Sequence, residues 1–147
     1  MKNILFLCTG NSARSILAEA YMNAKGAPHW RAYSAGSKPT GAPNPYALRT
    51  LSDYGMPAVS PRSKSWDEFA APEAPIMDVI VTVCDSAAAE TCPVWPAQEG
   101  RLPKRLHWSF ADPAAVEGDD ETKRAAFEKT FGEIRLRIEA FLEGSNA

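Results

Sequence analysis

The sequence lacks a strong excess of charge of either sign, with 16 Lys plus Arg against 18 Asp plus Glu in 147 residues. A formal charge of −2 gives no electrostatic footprint for nucleic acid or an anionic membrane, so we expect neither as a partner. No apolar run approaches the roughly 20 residues of a membrane span, and the N-terminal apolar stretch is too short for a secretory signal. These absences favour a cytoplasmic protein.

Cysteine and histidine are also scarce. The three cysteines form an odd set, which in a reducing compartment is more typical of catalytic or redox-active thiols than of a disulfide framework. With only His29 and His107, and without a Cys-x-x-Cys pair, the spacings of a zinc site are absent. We therefore expect no metal, and the cysteines are the first residues to consider for chemistry.

The apolar patterns predict an α/β chain that forms a single domain over residues 1–147. Continuous apolar runs are typical of strands buried on both faces of a parallel sheet, whereas apolar residues three or four apart indicate helices. The predicted strands are 4–7, 30–35, 77–83 and 105–108. The predicted helices are 16–24, 46–53, a short one around 66–69, and a last one with apolar positions from 127 to 141. This alternation predicts a doubly wound sheet, with ligands beyond the carboxyl ends of the strands.

The turn after the first predicted strand joins Cys8 to a helix that carries Arg14 near its start. A helix N-terminus with successive backbone amides makes a nest for a tetrahedral oxyanion, and an arginine adds a bidentate fork. The same positive field stabilises a thiolate at the base of the nest. The turn thus predicts a cysteine nucleophile aimed at a bound oxyanion, although Cys8 alone also fits a buried strand-end residue. The predicted oxyanion-binding residues are Thr9, Gly10, Asn11, Ser12, Ala13, Arg14 and Ser15.

This turn carries a resemblance to a known family. The segment 8–15 resembles the C-x5-R-S signature of the low-molecular-weight protein tyrosine phosphatase superfamily, and it is most similar to the arsenate reductase branch. The resemblance extends over essentially the whole chain, including segments 33–36, 81–84 and 107–113. It implies a three-layer α/β/α fold with a four-stranded parallel sheet, like that of the low-molecular-weight phosphotyrosine phosphatases.

The resemblance also implies roles for single residues. Asn11 is expected to brace the loop, Ser15 to hydrogen-bond the thiolate, and Asp112 to act as the general acid that protonates the leaving oxygen. Taken alone, the Asp-Pro pair at Asp112 would indicate no more than a turn in a surface loop.

Some members of the superfamily hold a monovalent cation near the loop asparagine. Asn11, Glu19 and Ser34 match parts of that site, but Ser65 stands where an acidic ligand is expected. The match is therefore incomplete, and Glu19 fits a solvent-facing helix residue equally well.

Two departures separate the chain from the tyrosine phosphatase branch. Ala13 stands where that branch has a second cysteine, and Ala114 and Ala115 stand where it has aromatic residues that grip the phosphotyrosine ring. These differences favour the reductase branch.

The two later cysteines, Cys84 and Cys92, fit a thiol relay. Cys84 follows a predicted strand as Cys8 does, so both thiols are expected at the same edge of the parallel sheet. By the resemblance, Cys8 attacks arsenate, Cys84 releases arsenite by forming a disulfide with Cys8, and Cys92 resolves that disulfide. An external thiol reductant then restores the enzyme: thioredoxin, or glutathione and glutaredoxin as in a related branch. No tightly bound cofactor is expected, and the protein is expected to act as a monomer.

Three hypotheses remain open from the sequence. The first is a cytoplasmic arsenate reductase that serves in arsenic detoxification. The second is a phosphatase that hydrolyses phosphomonoesters through a phosphocysteine, in which Cys84 and Cys92 are dispensable. The third is a non-catalytic oxyanion sensor, although a pure binder needs neither the nucleophile Cys8 nor the acid Asp112.

Overall fold

The computed structural model describes residues 2–11, 13–26, 29–56, 64–70, 76–83 and 104–144. These residues form one parallel β-sheet and four α-helices. The strands are β1 (Lys2–Cys8), β2 (Trp30–Gly36), β3 (Val79–Thr82) and β4 (Lys104–His107). The helices are α1 (Arg14–Gly26), α2 (Pro45–Asp53), α3 (Asp67–Ala70) and α4 (Asp120–Gly144). The strand order is β2-β1-β3-β4, with every pair parallel, so β1 lies inside the sheet.

Apolar side chains of β1 face both sides of the sheet. Ile4 and Phe6 pack into a core with α1, α2 and α4, whereas Leu5 and Leu7 pack into a second core with Phe69 of α3. A strand covered on both faces needs a continuous apolar sequence, and residues 4–7 provide one. The predicted three-layer α/β/α fold with a four-stranded parallel sheet is therefore confirmed.

The predicted elements all occur, and the differences lie at their ends. α1 begins at Arg14 rather than residue 16, because its first two residues are polar and apolar periodicity cannot detect them. β3 spans Val79–Thr82 rather than 77–83. A short 3-10 helix over Pro113–Ala115 is absent from the sequence prediction, which gave that segment only a turn.

The contact between α1 and α4 includes a polar bond at its rim. The hydroxyl of Tyr21 donates to Glu139 Oε2 over 2.5 Å. Burial and this bond raise the pKa of Tyr21 from its ordinary value of 10.0 to about 12. Because the folded-state pKa is the higher one, the bond contributes its full stability below pH 10 and is lost as the pH rises toward 12.

Phe131 is a sensitive point of the larger core. Its ring is fully buried, and its centroid lies 5.8 Å from that of the Tyr21 ring and 5.1 Å from that of the Tyr54 ring. Phe131→Ala should lower the free energy of unfolding by about 3–5 kcal/mol, because it removes buried area and leaves a cavity. The control on the same helix is Leu136→Ala, since that side chain is 70% exposed and should cost no more than about 0.5 kcal/mol. Urea unfolding of both variants measures the two free energies of unfolding. Similar losses in the two variants would contradict the central role of Phe131 in this core.

Candidate active site

The turn between β1 and α1 holds the candidate nucleophile. β1 ends at Cys8, which is 3% exposed, and α1 begins at Arg14. Between them Asn11 has a φ of 47°, in the left-handed region that Asn and Asp adopt more readily than other residues with a side chain. Among the predicted oxyanion-binding residues, Ser12 lies outside the described residues.

The side-chain amide of Asn11 has a defined orientation. Its Oδ1 accepts a hydrogen bond from the backbone N–H of Lys64 over 2.8 Å, and a backbone nitrogen can only donate. The Nδ2 group therefore faces the other way, where it donates to Ser15 Oγ over 2.8 Å. Asn11 thus connects the turn after β1 to the segment that begins at Lys64.

The direction of the bond between Ser15 and Cys8 follows from this orientation. Ser15 Oγ lies 2.9 Å from Cys8 Sγ and already accepts from Asn11, so its hydroxyl proton is available to the sulfur. The backbone N–H of Asn11 also donates to Cys8 Sγ, over 3.2 Å. Two donors therefore converge on one buried sulfur.

Arg14 is buried and touches two distant segments of the chain. It is 4% exposed, and its Nη1 donates to the carbonyl oxygens of Phe110, over 3.1 Å, and Val83, over 3.4 Å. Its Nη2 lies 3.8 Å from Asp112 Oδ2. Arg14 therefore fixes the position of the Asp112 loop relative to the nest, in addition to presenting positive charge at the site.

Asp112 has two oxygens in different environments. Oδ1 accepts from the backbone N–H of Ala114 over 3.0 Å and so caps the 3-10 helix over Pro113–Ala115. Oδ2 faces Arg14, and the side chain is 35% exposed. The structure thus brings Asp112 to the turn that carries Cys8 and Arg14, with one oxygen held and the other directed toward the site.

Gly36, at the end of β2, is a supporting residue to which the sequence reasoning gave no role. A Cβ at this position would lie 2.5 Å from the carbonyl oxygen of Thr9 and 2.8 Å from that of Cys8. The loop after Gly36 then bonds the turn, since the backbone N–H groups of Lys38 and Thr40 donate to the carbonyls of Thr9 and Gly10. Only glycine lets the backbone of β2 come this close to the carbonyls of Thr9 and Cys8. In the sequence, a glycine at the end of a predicted strand is the one feature that could have indicated this contact.

A buried charged group lies beside the nest. Ser34 Oγ donates to Glu19 Oε1 over 2.7 Å, and Lys64 Nζ lies 4.0 Å from the same oxygen. Glu19 and Ser34, which match parts of a superfamily cation site in the sequence, are thus hydrogen-bonded to each other, and the sequence gave Lys64 no role beside them. A lysine between Ser63 and Ser65 carries no local signal of burial.

Cys84 and Cys92 lie outside the described residues, and their relay stays a prediction. The residue before Cys84 is described: the backbone N–H of Val83 donates to the carbonyl of Leu7 over 2.9 Å, beside the end of β1. The chain therefore enters the Cys84 segment next to the strand that ends at Cys8.

Two features are absent from the part of the chain that the structure describes. No three His, Cys, Asp or Glu side chains there form a group able to hold a metal ion. Within the same residues, no helix combines the length and hydropathy that a bilayer span requires.

Comparison with known proteins gives a consistent result. The family described as low molecular weight phosphotyrosine protein phosphatase matches residues 3–146. The arsenate reductase of Halalkalibacterium halodurans is 39% identical over 142 residues, which cover 97% of this chain and 96% of that protein. The arsenate reductase of Bacillus licheniformis is 38% identical over 142 residues, with the same coverage of 97% and 96%. The crystal structure of an arsenate reductase from Archaeoglobus fulgidus superposes with a TM-score of 0.69 at 29% identity, covering 92% of this chain and 98% of that one.

Proposed function

Because this chain belongs to the low molecular weight phosphotyrosine protein phosphatase family, and its relatives include arsenate reductases that it matches over nearly their whole length, we propose that it reduces arsenate to arsenite. The observation that carries the proposal is the environment of Cys8. Its buried sulfur receives hydrogen bonds from Ser15 and Asn11, in a turn whose Arg14 reaches Asp112. Such a site suits attack by a thiolate on a tetrahedral oxyanion.

In the first step, the Cys8 thiolate attacks arsenate held by the nest. A sulfur–arsenic bond forms, an arsenic–oxygen bond breaks, and Asp112 supplies the proton with which that oxygen leaves as water. The guanidinium of Arg14 and the amides of residues 9–15 neutralise the negative charge that develops on the arsenate oxygens. Asp112 Oδ2, which is not bonded to Ala114, is the oxygen that we assign to the proton transfer.

In the second step, a thiolate of Cys84 attacks the Cys8 sulfur. The electron pair of the sulfur–arsenic bond stays with arsenic, so arsenic(V) becomes arsenic(III) and leaves as arsenite. Cys8 and Cys84 are oxidised to a disulfide. Cys92 then attacks Cys84, which releases the Cys8 thiolate and leaves a Cys84–Cys92 disulfide for an external dithiol to reduce.

We propose thioredoxin as that external dithiol, with glutathione and glutaredoxin as the alternative. The reaction belongs in the reducing cytoplasm, where free thiols persist, and serves arsenic detoxification. Cys8, Arg14 and Asp112 all come from one chain, so we propose that the protein acts as a monomer.

The test is NADPH oxidation with arsenate, coupled through thioredoxin and thioredoxin reductase, beside hydrolysis of an aryl phosphate by the same preparation. We expect arsenate-dependent oxidation that is lost in Cys84→Ser. Cys92→Ser should release one equivalent of arsenite and then stop. Hydrolysis that survives both substitutions, without oxidation under either thioredoxin or glutaredoxin, would instead identify a phosphatase.

Asp112→Asn should lower kcat for arsenate by about 10²-fold to 10³-fold, because the amide cannot supply the proton. Asparagine keeps an oxygen that accepts from Ala114, so the 3-10 helix and the fold are retained. Steady-state kinetics and thermal unfolding measure the two effects separately.

The matched control for Asp112→Asn is Asp119→Asn, at another capping position. Asp119 Oδ1 accepts from the backbone N–H of Thr122 over 2.8 Å at the start of α4. Hydrogen bonds from Thr122 lower the pKa of this carboxyl. Among the described residues, its side chain bonds Thr122 at the start of α4 rather than the turn that carries Cys8. The kcat of Asp119→Asn should equal that of the wild type. Equal losses of kcat in the two variants would contradict the role of Asp112 as the general acid.

A further inference from the structure

Lys64 is a buried lysine for which the proposed reaction has no use. Lys64 is only 8% exposed to solvent. Taking an ammonium group out of water is costly unless a partner compensates its charge, so a lysine in this position needs a structural or functional reason. It follows the segment 57–63 and lies one residue before Ser65, which forms an isolated parallel bridge with Gly36.

The side chain of Lys64 is directed to a carboxylate on α1. Its Nζ lies 4.0 Å from Oε1 of Glu19, whose side chain is 19% exposed. The same oxygen accepts the hydroxyl of Ser34, a fully buried residue of β2. One carboxylate oxygen therefore joins the ammonium group to both the helix that begins at the nest and the strand beside β1.

The backbone of Lys64 is bonded to the nest itself. Its N–H donates to Asn11 Oδ1, and its carbonyl accepts from the N–H of Gly36 over 2.9 Å. Asn11 then donates to Ser15, and Ser15 lies against the Cys8 sulfur. A continuous set of contacts thus runs from the Lys64 backbone to the nucleophile.

We propose that Lys64 is a positioning residue whose ammonium acts as a tethered cation: it neutralises Glu19 and thereby holds the Lys64 N–H on Asn11. Such support stabilises the left-handed conformation of Asn11, φ 47°, which is uncommon for a residue with a side chain although Asn tolerates it better than most. The ammonium lies in the neighbourhood of Asn11, Glu19 and Ser34, the residues that match in part the cation site of some superfamily members. The inference rests on the proposed function only in assigning the nucleophile to Cys8.

The tethered cation predicts a specific response to salt. The wild-type enzyme should show the same kcat and KM in potassium, ammonium and sodium chloride at equal ionic strength, because its cation is covalently attached. Lys64→Ala keeps the backbone N–H but removes the ammonium group from Glu19 and leaves a space that a free cation could enter. We expect its kcat/KM to fall roughly 10-fold and to recover when potassium or ammonium chloride replaces sodium chloride.

Three further variants separate charge from packing. Lys64→Met fills the space without charge, so it should lose activity as Lys64→Ala does but without recovery by added cations. Lys64→Arg keeps the charge and should retain most activity. Lys25→Ala removes an exposed lysine at the other end of α1 and should change nothing.

A second readout does not depend on arsenate. The rate at which iodoacetamide alkylates Cys8, followed by peptide mapping, reports the alignment of the thiolate with its donors. It should fall in Lys64→Ala and recover with potassium or ammonium, whether or not the protein reduces arsenate. Full activity and alkylation in Lys64→Met would overturn the proposal, and so would equal losses in Lys64→Ala and Lys64→Met that no cation reverses.

Discussion

Cys8→Ser should lower arsenate-dependent turnover by at least about 10⁴-fold, the largest loss that we expect from a single substitution. The serine hydroxyl can take the place of the sulfur between Ser15 and Asn11, so the nest stays intact. It is not ionised at neutral pH, however, and it cannot form the disulfide that releases arsenite. Both halves of the reaction therefore fail together.

The binding of the oxyanion distinguishes lost chemistry from a lost site in this variant. Phosphate should still bind Cys8→Ser, as measured by titration calorimetry, because the backbone amides and Arg14 are unchanged. Residual turnover above about one percent of wild type, with arsenate dependence, would show that the nucleophile lies elsewhere.

Arg14→Lys should reduce kcat/KM for arsenate by about 10²-fold to 10³-fold, although the charge is kept. Lysine is a point charge and cannot present two parallel N–H donors to two oxygens of the transition state. It also cannot reach the carbonyls of both Val83 and Phe110 with the same geometry. We therefore expect a second effect, a loss of about 1–3 kcal/mol in the free energy of unfolding, from buried carbonyls left without a donor.

Kinetics and unfolding together test the dual role of Arg14. Arg124→Lys is the control, because Arg124 Nη2 lies 3.6 Å from Asp53 Oδ2 at the surface, away from the nest. It should leave both kcat/KM and stability unchanged. If Arg14→Lys behaves as this control does, then Arg14 does not hold the oxyanion.

The fold was predictable because its elements carry strong local patterns. Residues 4–7 are apolar without interruption and form the inner strand β1, covered on both faces. In α4, Phe127, Phe131 and Ile134 recur at helical spacing and are all buried. The ends of elements were less predictable, since Arg14 begins α1 for reasons of hydrogen bonding and charge that apolar periodicity does not contain.

The candidate site likewise contains residues that could be predicted from the sequence and residues that could not. Cys8, Arg14 and Ser15 lie within eight consecutive residues, at the end of β1 and the start of α1, so their proximity could be predicted from the sequence. Lys64 reaches Asn11 across 53 positions, and nothing in its neighbouring residues indicates that contact. The close approach of Gly36 to the turn is likewise a tertiary contact, created only when β2 pairs with β1.

The parallel arrangement of the sheet has a consequence for how the chain folds. Every strand pair in the described sheet needs a crossover, so no local hairpin is available to start folding. Phe6 of β1 pairs with Ser34 of β2 on one side and with Val81 of β3 on the other. The pairing of β1 with β3 therefore requires the closure of a much longer loop than the pairing of β1 with β2. We expect a slow, single nucleation event built on β1, α1 and β2, whose contacts have the shortest separation. On the ribosome, that β1–α1–β2 unit emerges long before β3, and the carbonyl of Leu7, next to Cys8, remains without its bond from Val83 until more than half of the chain has been made.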